Sequence, residues 1–280
     1  RDLIMEIERN LCYVRQGGDP FETACYLYVL GISELYHTYQ VEIAEPLLME
    51  SIENFQLVED LSTQFIVYKA RGYLLLVNGR FEAFHALKLQ ELAVAQHIGD
   101  CRLIGITHAE IGEVLYHLGN YPEAEEQIRK GMALVKEQSA VEYAHRHRYL
   151  GDVLLVQGKC TEAREAYLFS YHFYQTLNEK GWMMTALTGL SRAELALGNR
   201  PGAWQCARQA LQLYSEIHIY TFFVYGTLAD FALLLADQGD VLQALELFQL
   251  VSQQGYLARS RWFADLFGNF MDNAYAQLTA

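Results

Sequence analysis

A short phrase returns along this chain at a nearly constant spacing. Its clearest copy is Gly119-Asn-Tyr-Pro-Glu-Ala124, with a glycine, an aromatic residue two later and an alanine five later. Gly158-Lys-Cys-Thr-Glu-Ala163, Gly198-Asn-Arg-Pro-Gly-Ala203 and Gly239-Asp-Val-Leu-Gln-Ala244 match it. Gly79-Arg-Phe-Glu-Ala83 carries its alanine one residue early, and Tyr39 to Ala44 is a weak first copy without the glycine. The anchors fall at 39, 79, 119, 158, 198 and 239, with gaps of 40, 40, 39, 40 and 41. A period in this range marks an array of structural units that bury their cores by stacking on one another.

Each anchor lies between two helical patterns. Before Gly119, the residues Ile104, Thr107, His108, Ile111, Leu115 and Leu118 recur at steps of three and four; after it, Ala124, Ile128, Met132 and Val135 do the same. Each run is a helix with one buried stripe. The glycine ends the first helix, where a left-handed residue is needed. Pro122 and Pro201 fall just inside the second helix, where a missing N–H costs nothing. Gly72, Gly112 and Gly151 each precede their anchor by seven residues and let the paired helix approach; Ser191 and Ala232 fill that slot later. The spacing therefore predicts an all-α, right-handed α-solenoid of about six helical hairpins. Residues 1–19 supply an extra N-terminal helix, 20–258 the six repeats and 259–280 a closing helix, all in one domain over 1–280. Pro46 interrupts the second helix of the first hairpin.

Composition excludes several functions. With 21 Lys+Arg against 34 Asp+Glu the formal net charge is −13, the wrong sign for a general nucleic-acid footprint or for docking on anionic membranes. Residues 101–180 are the least acidic part, with 11 acids against 9 bases, so an anionic ligand is best tolerated there. Cys12, Cys25, Cys101, Cys160 and Cys206 form no CxxC and read as small core residues in a reducing, cytoplasmic setting. The longest apolar stretch, Ile219 to Ala229, is too short to span a bilayer, and no signal peptide is expected.

The positions of Gly112, Gly119, Tyr121 and Ala124, and of Gly151, Gly158 and Ala163, resemble the tetratricopeptide repeat. The usual period of that repeat is 34 residues, with an early Trp and a closing Pro. Here His108, His147 and Leu187 take the early position, the closing Pro is absent and the period is near 40. This longer form is similar to the repeat regions of bacterial signal-transduction ATPases with tandem repeats, relatives of the maltose-regulon activator. Asn178-Glu-Lys-Gly-Trp to Leu195-Ala-Leu-Gly-Asn, and Ala244-Leu-Glu-Leu to Ser260-Arg-Trp-Phe263, carry that likeness. The resemblance implies a non-catalytic sensor region of a larger protein. Such a region binds a protein, peptide or small-molecule inducer in a concave groove and regulates a nucleotide-binding and effector module of the same longer chain.

In a tetratricopeptide stack the first helices line the groove. Positions thirteen, ten, six and three residues before each anchor face it. The candidate ligand-binding residues so read are Tyr36, Lys69, Tyr73, Glu113, Tyr116, His145, Arg148, Asp152 and Arg192. The tyrosines offer flat faces with a hydroxyl, the cations charge-assisted donors, and Glu113 and Asp152 acceptors. The same strip also fits an ordinary solvated face with internal ion pairs such as Asp152–Arg192. His147 and His108 fall on packing positions, and neither a metal nor any other cofactor is expected. Tyr167, Phe169, Tyr171, Phe173 and Tyr174 crowd one second helix and read as inter-repeat packing. Trp262, Phe263, Phe267 and Phe270 are expected at the surface if a neighbouring domain is missing.

An all-α toroid enzyme is the rival reading from another class. It needs two facing acids, and Glu113 and Asp152 are the only groove acids at adjacent positions. No HExxH, GxSxG or Cys-His arrangement and no phosphate loop occur; Gly158-Lys-Cys-Thr161 is a repeat turn. A passive protein–protein scaffold is the second rival.

Overall fold

The computed structural model describes residues 2–35, 40–58, 61–217, 223–268, 271–272 and 275–276, and every regular element among them is helical. Helix α1 covers Asp2–Gly17. Six hairpins follow: α2 (Pro20–Ser33) with α3 (Val41–Gln56), α4 (Leu61–Val77) with α5 (Phe81–Ile98), α6 (Cys101–His117) with α7 (Tyr121–Val135), α8 (Ala140–Val156) with α9 (Cys160–Thr176), α10 (Lys180–Ala196) with α11 (Arg200–Ile217), and α12 (Phe223–Gln238) with α13 (Val241–Ser252). After α13 come α14 (Gly255–Arg259) and α15 (Arg261–Phe263), the latter running into a π-helical turn at Ala264–Gly268. The helices group into two compact units, residues 1–98 and residues 99–218 with 223–280.

The anchors are helix ends, as the spacing predicts. Gly119 has φ +87°; its N–H bonds Tyr116 C=O at 3.1 Å, and Asn120 N–H bonds Leu115 C=O at 2.9 Å. That pair of bonds is the Schellman arrangement, which closes the orphan carbonyls of the last turn. The same pair recurs at 79, 158, 198 and 239. Asn178, φ 54°, does this work at the end of α9. Three helix starts carry side-chain caps: Asp19, Asp100 and Ser139 each accept from N–H groups of the following turn, whereas Asn120 and Asp240 at the same position do not.

The slot seven residues before the anchor is a close approach. A Cβ on Gly112 would lie 2.5 Å from Ile128 Cγ1 and 2.7 Å from Ala124 C=O. Ser191 uses the slot differently, donating its hydroxyl to Ala203 C=O at 2.9 Å. The second hairpin explains its displaced alanine: Phe84, not Ala83, takes the packing position, and its ring lies against Gly72.

In the first unit Leu48, Ile52, Phe55, Val67, Leu74 and Val77 form the core, and α1 adds Leu11 against Leu27 and Leu30. Each such side chain, fully buried, stabilises by ~1.5–3 kcal/mol. Helix α3 continues through Pro46 instead of stopping. Buried Ala44, Leu48, Ser51, Ile52 and Phe55 hold it in place, so tertiary packing outweighs the lost N–H.

In the second unit the first helices α6, α8, α10 and α12 neighbour one another, with α7, α9, α11 and α13 packed on them. The expected single closing helix is broken at Ser260, whose ψ of 118° is extended. The expected surface aromatics are buried: Trp262, Phe263 and Phe267 all lie inside. Trp262 packs edge-on to Tyr116 at 5.5 Å, and Phe263 stacks on Phe248 at 5.6 Å. The chain's own repeats, α6 for Trp262 and α13 for Phe263, are the neighbour they need. Phe270 and Tyr36 lie outside the described residues. No helix among the described residues is long and apolar enough to cross a membrane.

Candidate functional site

Four first helices of the second unit place alternating charges beside each other under the C-terminal segment. Arg148 on α8 pairs with Asp152 Oδ2 at 3.2 Å, one turn along, and lies 3.8 Å over the Tyr149 ring. Asp152 Oδ1 meets Arg192 Nη1 of α10 at 3.2 Å, and Arg192 Nε meets Asp230 Oδ1 of α12 at 3.1 Å. The order is guanidinium, carboxyl, guanidinium, carboxyl across three helices. Arg192, Asp152 and Asp230 are 8%, 2% and 1% exposed. Charges this deep need partners to offset desolvation.

The pairing is incomplete. Nε and Nη1 of Arg192, Nε of Arg148 and both carboxyl oxygens of Asp230 make no hydrogen bond. Burial pushes the Asp230 carboxyl up to about 8, against the pull of Arg192 and with a further push from Asp152. Glu113 on α6 is also raised by burial, although it accepts from the Tyr149 hydroxyl and faces Arg148.

Tyr167 enters this cluster from the second-helix layer. Its ring passes between Gly151 and Gly189, where added Cβ atoms would lie 2.6 and 2.1 Å from its Cε1. Its hydroxyl donates to Asp152 Oδ1 at 2.7 Å. Two glycines thus form a slot that delivers a phenol to a buried carboxylate.

The C-terminal segment closes the cluster. Trp262 donates its indole N–H to Asp152 C=O at 3.3 Å and offers its face to the Arg192 guanidinium at 5.1 Å. Ser260 Oγ accepts from Phe263 N–H and lies 2.8 Å from His117 Nδ1. Burial, helped by Arg148, holds His117 down at about 3, so its ring is neutral. The Tyr121 hydroxyl donates to Asp265, which also pairs with Arg261. The Arg261 stem lies over Gly119, where a Cβ would meet its Cγ at 2.8 Å.

Known structures match this arrangement of hairpins. A Rap protein complexed with Competence and Sporulation Factor superposes with a TM-score of 0.66 over 100% of this chain and 87% of that one, at 11% identity. The apo form of RapI gives 0.64 over 99% and 91%, at 13%. A signal-transduction ATPase with numerous domains and a tetratricopeptide repeat sensor, from Pyrococcus horikoshii, gives 0.59 over 97% of this chain and 42% of that one, at 15%. The chain has the tetratricopeptide-repeat fold. No family model matches the sequence. The regulatory protein AfsR of Streptomyces coelicolor is 30% identical over 121 residues, 42% of this chain; the match spans 12% of that regulator's length.

The tetratricopeptide frame shows what became of the predicted strip. Glu113, Tyr116, His145, Arg148, Asp152 and Arg192 do come together, but as a buried network and not as a solvated face. His145 packs on Trp182 at 4.4 Å and Tyr149 at 5.2 Å, and burial drives it well below the usual imidazole range. Lys69 and Tyr73 belong to the first unit. Lys69 is held at 3.1 Å by Glu91 of its own hairpin partner α5, a carboxylate it shares with Lys88. Tyr73 is half-buried against the first unit's core. The expected Asp152–Arg192 pair is present. Among the described residues no cluster of His, Cys, Asp or Glu could hold a metal.

Tyr149 and Asp230 were not among the predicted residues. Both lie nine residues before their anchors, Gly158 and Gly239. That offset lies four residues from offset thirteen and three from offset six, so it falls on the same helix side as the predicted strip. Trp262 and Ser260 carry no such signal, because they lie beyond the last repeat.

Proposed function

We propose that this chain is a non-catalytic regulatory sensor array. It binds a protein, peptide or small-molecule inducer on its first-helix layer and controls an attached nucleotide-binding or effector module of a longer chain. In this reading residues 1–280 act as one sensor. The observation that carries it is the buried, under-bonded network of Arg148, Asp152, Arg192 and Asp230 beneath a C-terminal segment that lies outside the repeats. A purely structural core would satisfy these groups. A layer with open hydrogen-bonding capacity and a cover drawn from beyond the repeats suits a face that changes occupants. The repeat sensor of the Pyrococcus ATPase and the Rap fold support the regulatory reading, as does the segment shared with AfsR. Glu113 and Asp152, each tied to a tyrosine and faced by arginine, are poorly placed as a hydrolytic acid pair.

The test is hydrogen exchange on the chain with and without fractions of a host extract separated into proteins, peptides and metabolites. A sensor ligand raises the melting temperature and also changes protection over Tyr256–Phe267. Stabilisation with no change there favours the passive scaffold, and no stabilising fraction sinks the proposal.

A further inference from the structure

Residues Ser260–Phe267 lie on the first-helix layer in the manner of a bound peptide. The segment is short and breaks away from α14 at Ser260. It makes one polar contact to each of three elements: Ser260 to His117 at the end of α6, Asp265 to Tyr121 at the start of α7, and Trp262 to Asp152 C=O on α8. Its principal apolar anchor on this layer is an indole, set between Tyr116 and the Arg192 guanidinium. A central aromatic ringed by polar contacts is the pattern of a recognition hot spot.

The fit leaves capacity unused. Trp262 gives Arg192 only a π-face, and Arg192 Nε and Nη1 and both Asp230 oxygens stay without hydrogen bonds. The two side chains are at least nine-tenths buried, and they are neighbours at 3.1 Å. A segment carrying an aromatic residue with a hydrogen-bonding group beside it would make the indole's contacts and add bonds that the chain's own segment lacks.

Resting on the sensor reading above, we propose that the chain's own Ser260–Phe267 is the resident occupant of the ligand face formed by α6, α8 and α10. A partner peptide segment bearing an aromatic residue binds there by displacing it. While the resident segment is seated, the apparent affinity for any competitor is lowered by the fraction of molecules in which the face is free.

The experiment uses the full chain and a fluorescently labelled synthetic peptide of residues 255–268. Anisotropy titrations compare the unmodified chain with Trp262→Ala, whose resident segment has lost its anchor. The peptide is expected to bind Trp262→Ala at least about tenfold more tightly than the unmodified chain. A peptide with alanine at the Trp262 position is expected to bind neither. Equal affinity for both chains, or equal binding of the alanine peptide, overturns the proposal. Should Trp262→Ala fail to fold, Ser260→Ala/Asp265→Ala replaces it. That variant removes the His117 and Tyr121 contacts but keeps the indole, and the same ordering of affinities is expected. A host ligand that stabilises the chain while neither released variant takes the peptide overturns this inference and leaves the sensor reading intact. Peptide binding with no stabilising host fraction does the reverse.

Discussion

The indole N–H of Trp262 reaches the main-chain carbonyl of Asp152 across 110 residues of sequence. That carbonyl belongs to the residue whose carboxylate joins Arg148, Tyr167 and Arg192. The last segment of the chain and the ion network of the repeats are therefore one packing unit. Trp262→Ala removes a ring that is 7% exposed and is expected to cost about 3–5 kcal/mol by chemical denaturation. Trp262→Phe keeps the edge contact to Tyr116 and is expected to cost much less. Equal losses would mean that the indole N–H, not the ring, holds the segment.

Gly119 serves the fold twice, as a helix end with φ +87° and as the floor under Arg261. Gly158, φ +76°, has only the first role, because nothing lies near where its Cβ would be. Both Gly→Ala changes incur the left-handed penalty of about 1–2 kcal/mol. Gly119→Ala is expected to cost more than Gly158→Ala, and the excess is expected to vanish in an Arg261→Ala background. A persistent excess would show that Arg261 simply moves aside.

The Tyr167 slot should be strongly coupled. Gly151→Ala and Gly189→Ala each drive a methyl into the same ring, at an expected cost of about 1–3 kcal/mol or more. Once one substitution has displaced the ring, the second meets less of it. The double variant is therefore expected to lose less than the sum, by about 0.5 kcal/mol or more in a denaturation cycle. Strict additivity would place the two clashes on independent parts of the structure.

Much of this fold is legible because hairpin repeats are local. The anchor glycines, the capping residues and the apolar stripes all act within a turn or two of their own position. The second unit's share of the candidate strip, Glu113 to Arg192, was legible as a set of neighbours, since a fixed offset from each anchor selects the same helix side. Its burial was not legible. What covers Arg192 is Trp262, and no repeat period relates the two residues. Gly189 gave no clue either, because its meaning lies in Tyr167, which arrives from the previous hairpin. Pro46 misled for the opposite reason, in that a local rule was overridden by packing around α3.

Charge reversal in the network reads folding before it reads binding. Arg192→Glu would set a third carboxyl beside Asp152 and Asp230 with almost no solvent. Breaking a buried pair on one side costs about 3–5 kcal/mol, and the added repulsion raises this further. The expected outcome is loss of cooperative unfolding by circular dichroism. A well-folded Arg192→Glu chain would mean that the layer opens to water.

Two buried groups give opposite pH dependences. His117 is held at about 3 against an ordinary 6.5, so the folded chain takes up fewer protons than the unfolded one between those values. Its contribution is intact above pH 6.5 and is lost as the pH falls toward 3. His117→Asn, which keeps a hydrogen-bonding group beside Ser260, is expected to flatten the acid limb of stability against pH. Asp230 is raised to about 8 from 3.8, so the folded chain holds an extra proton over that range. Its contribution is present below 3.8 and is lost as the pH rises through 8. Asp230→Asn is therefore expected to gain on the unmodified chain steadily from pH 4 to pH 8. Urea midpoints taken across this range measure both slopes. A flat difference for Asp230→Asn would mean that the carboxyl is already ionised at pH 5 and that Arg192 outweighs its burial.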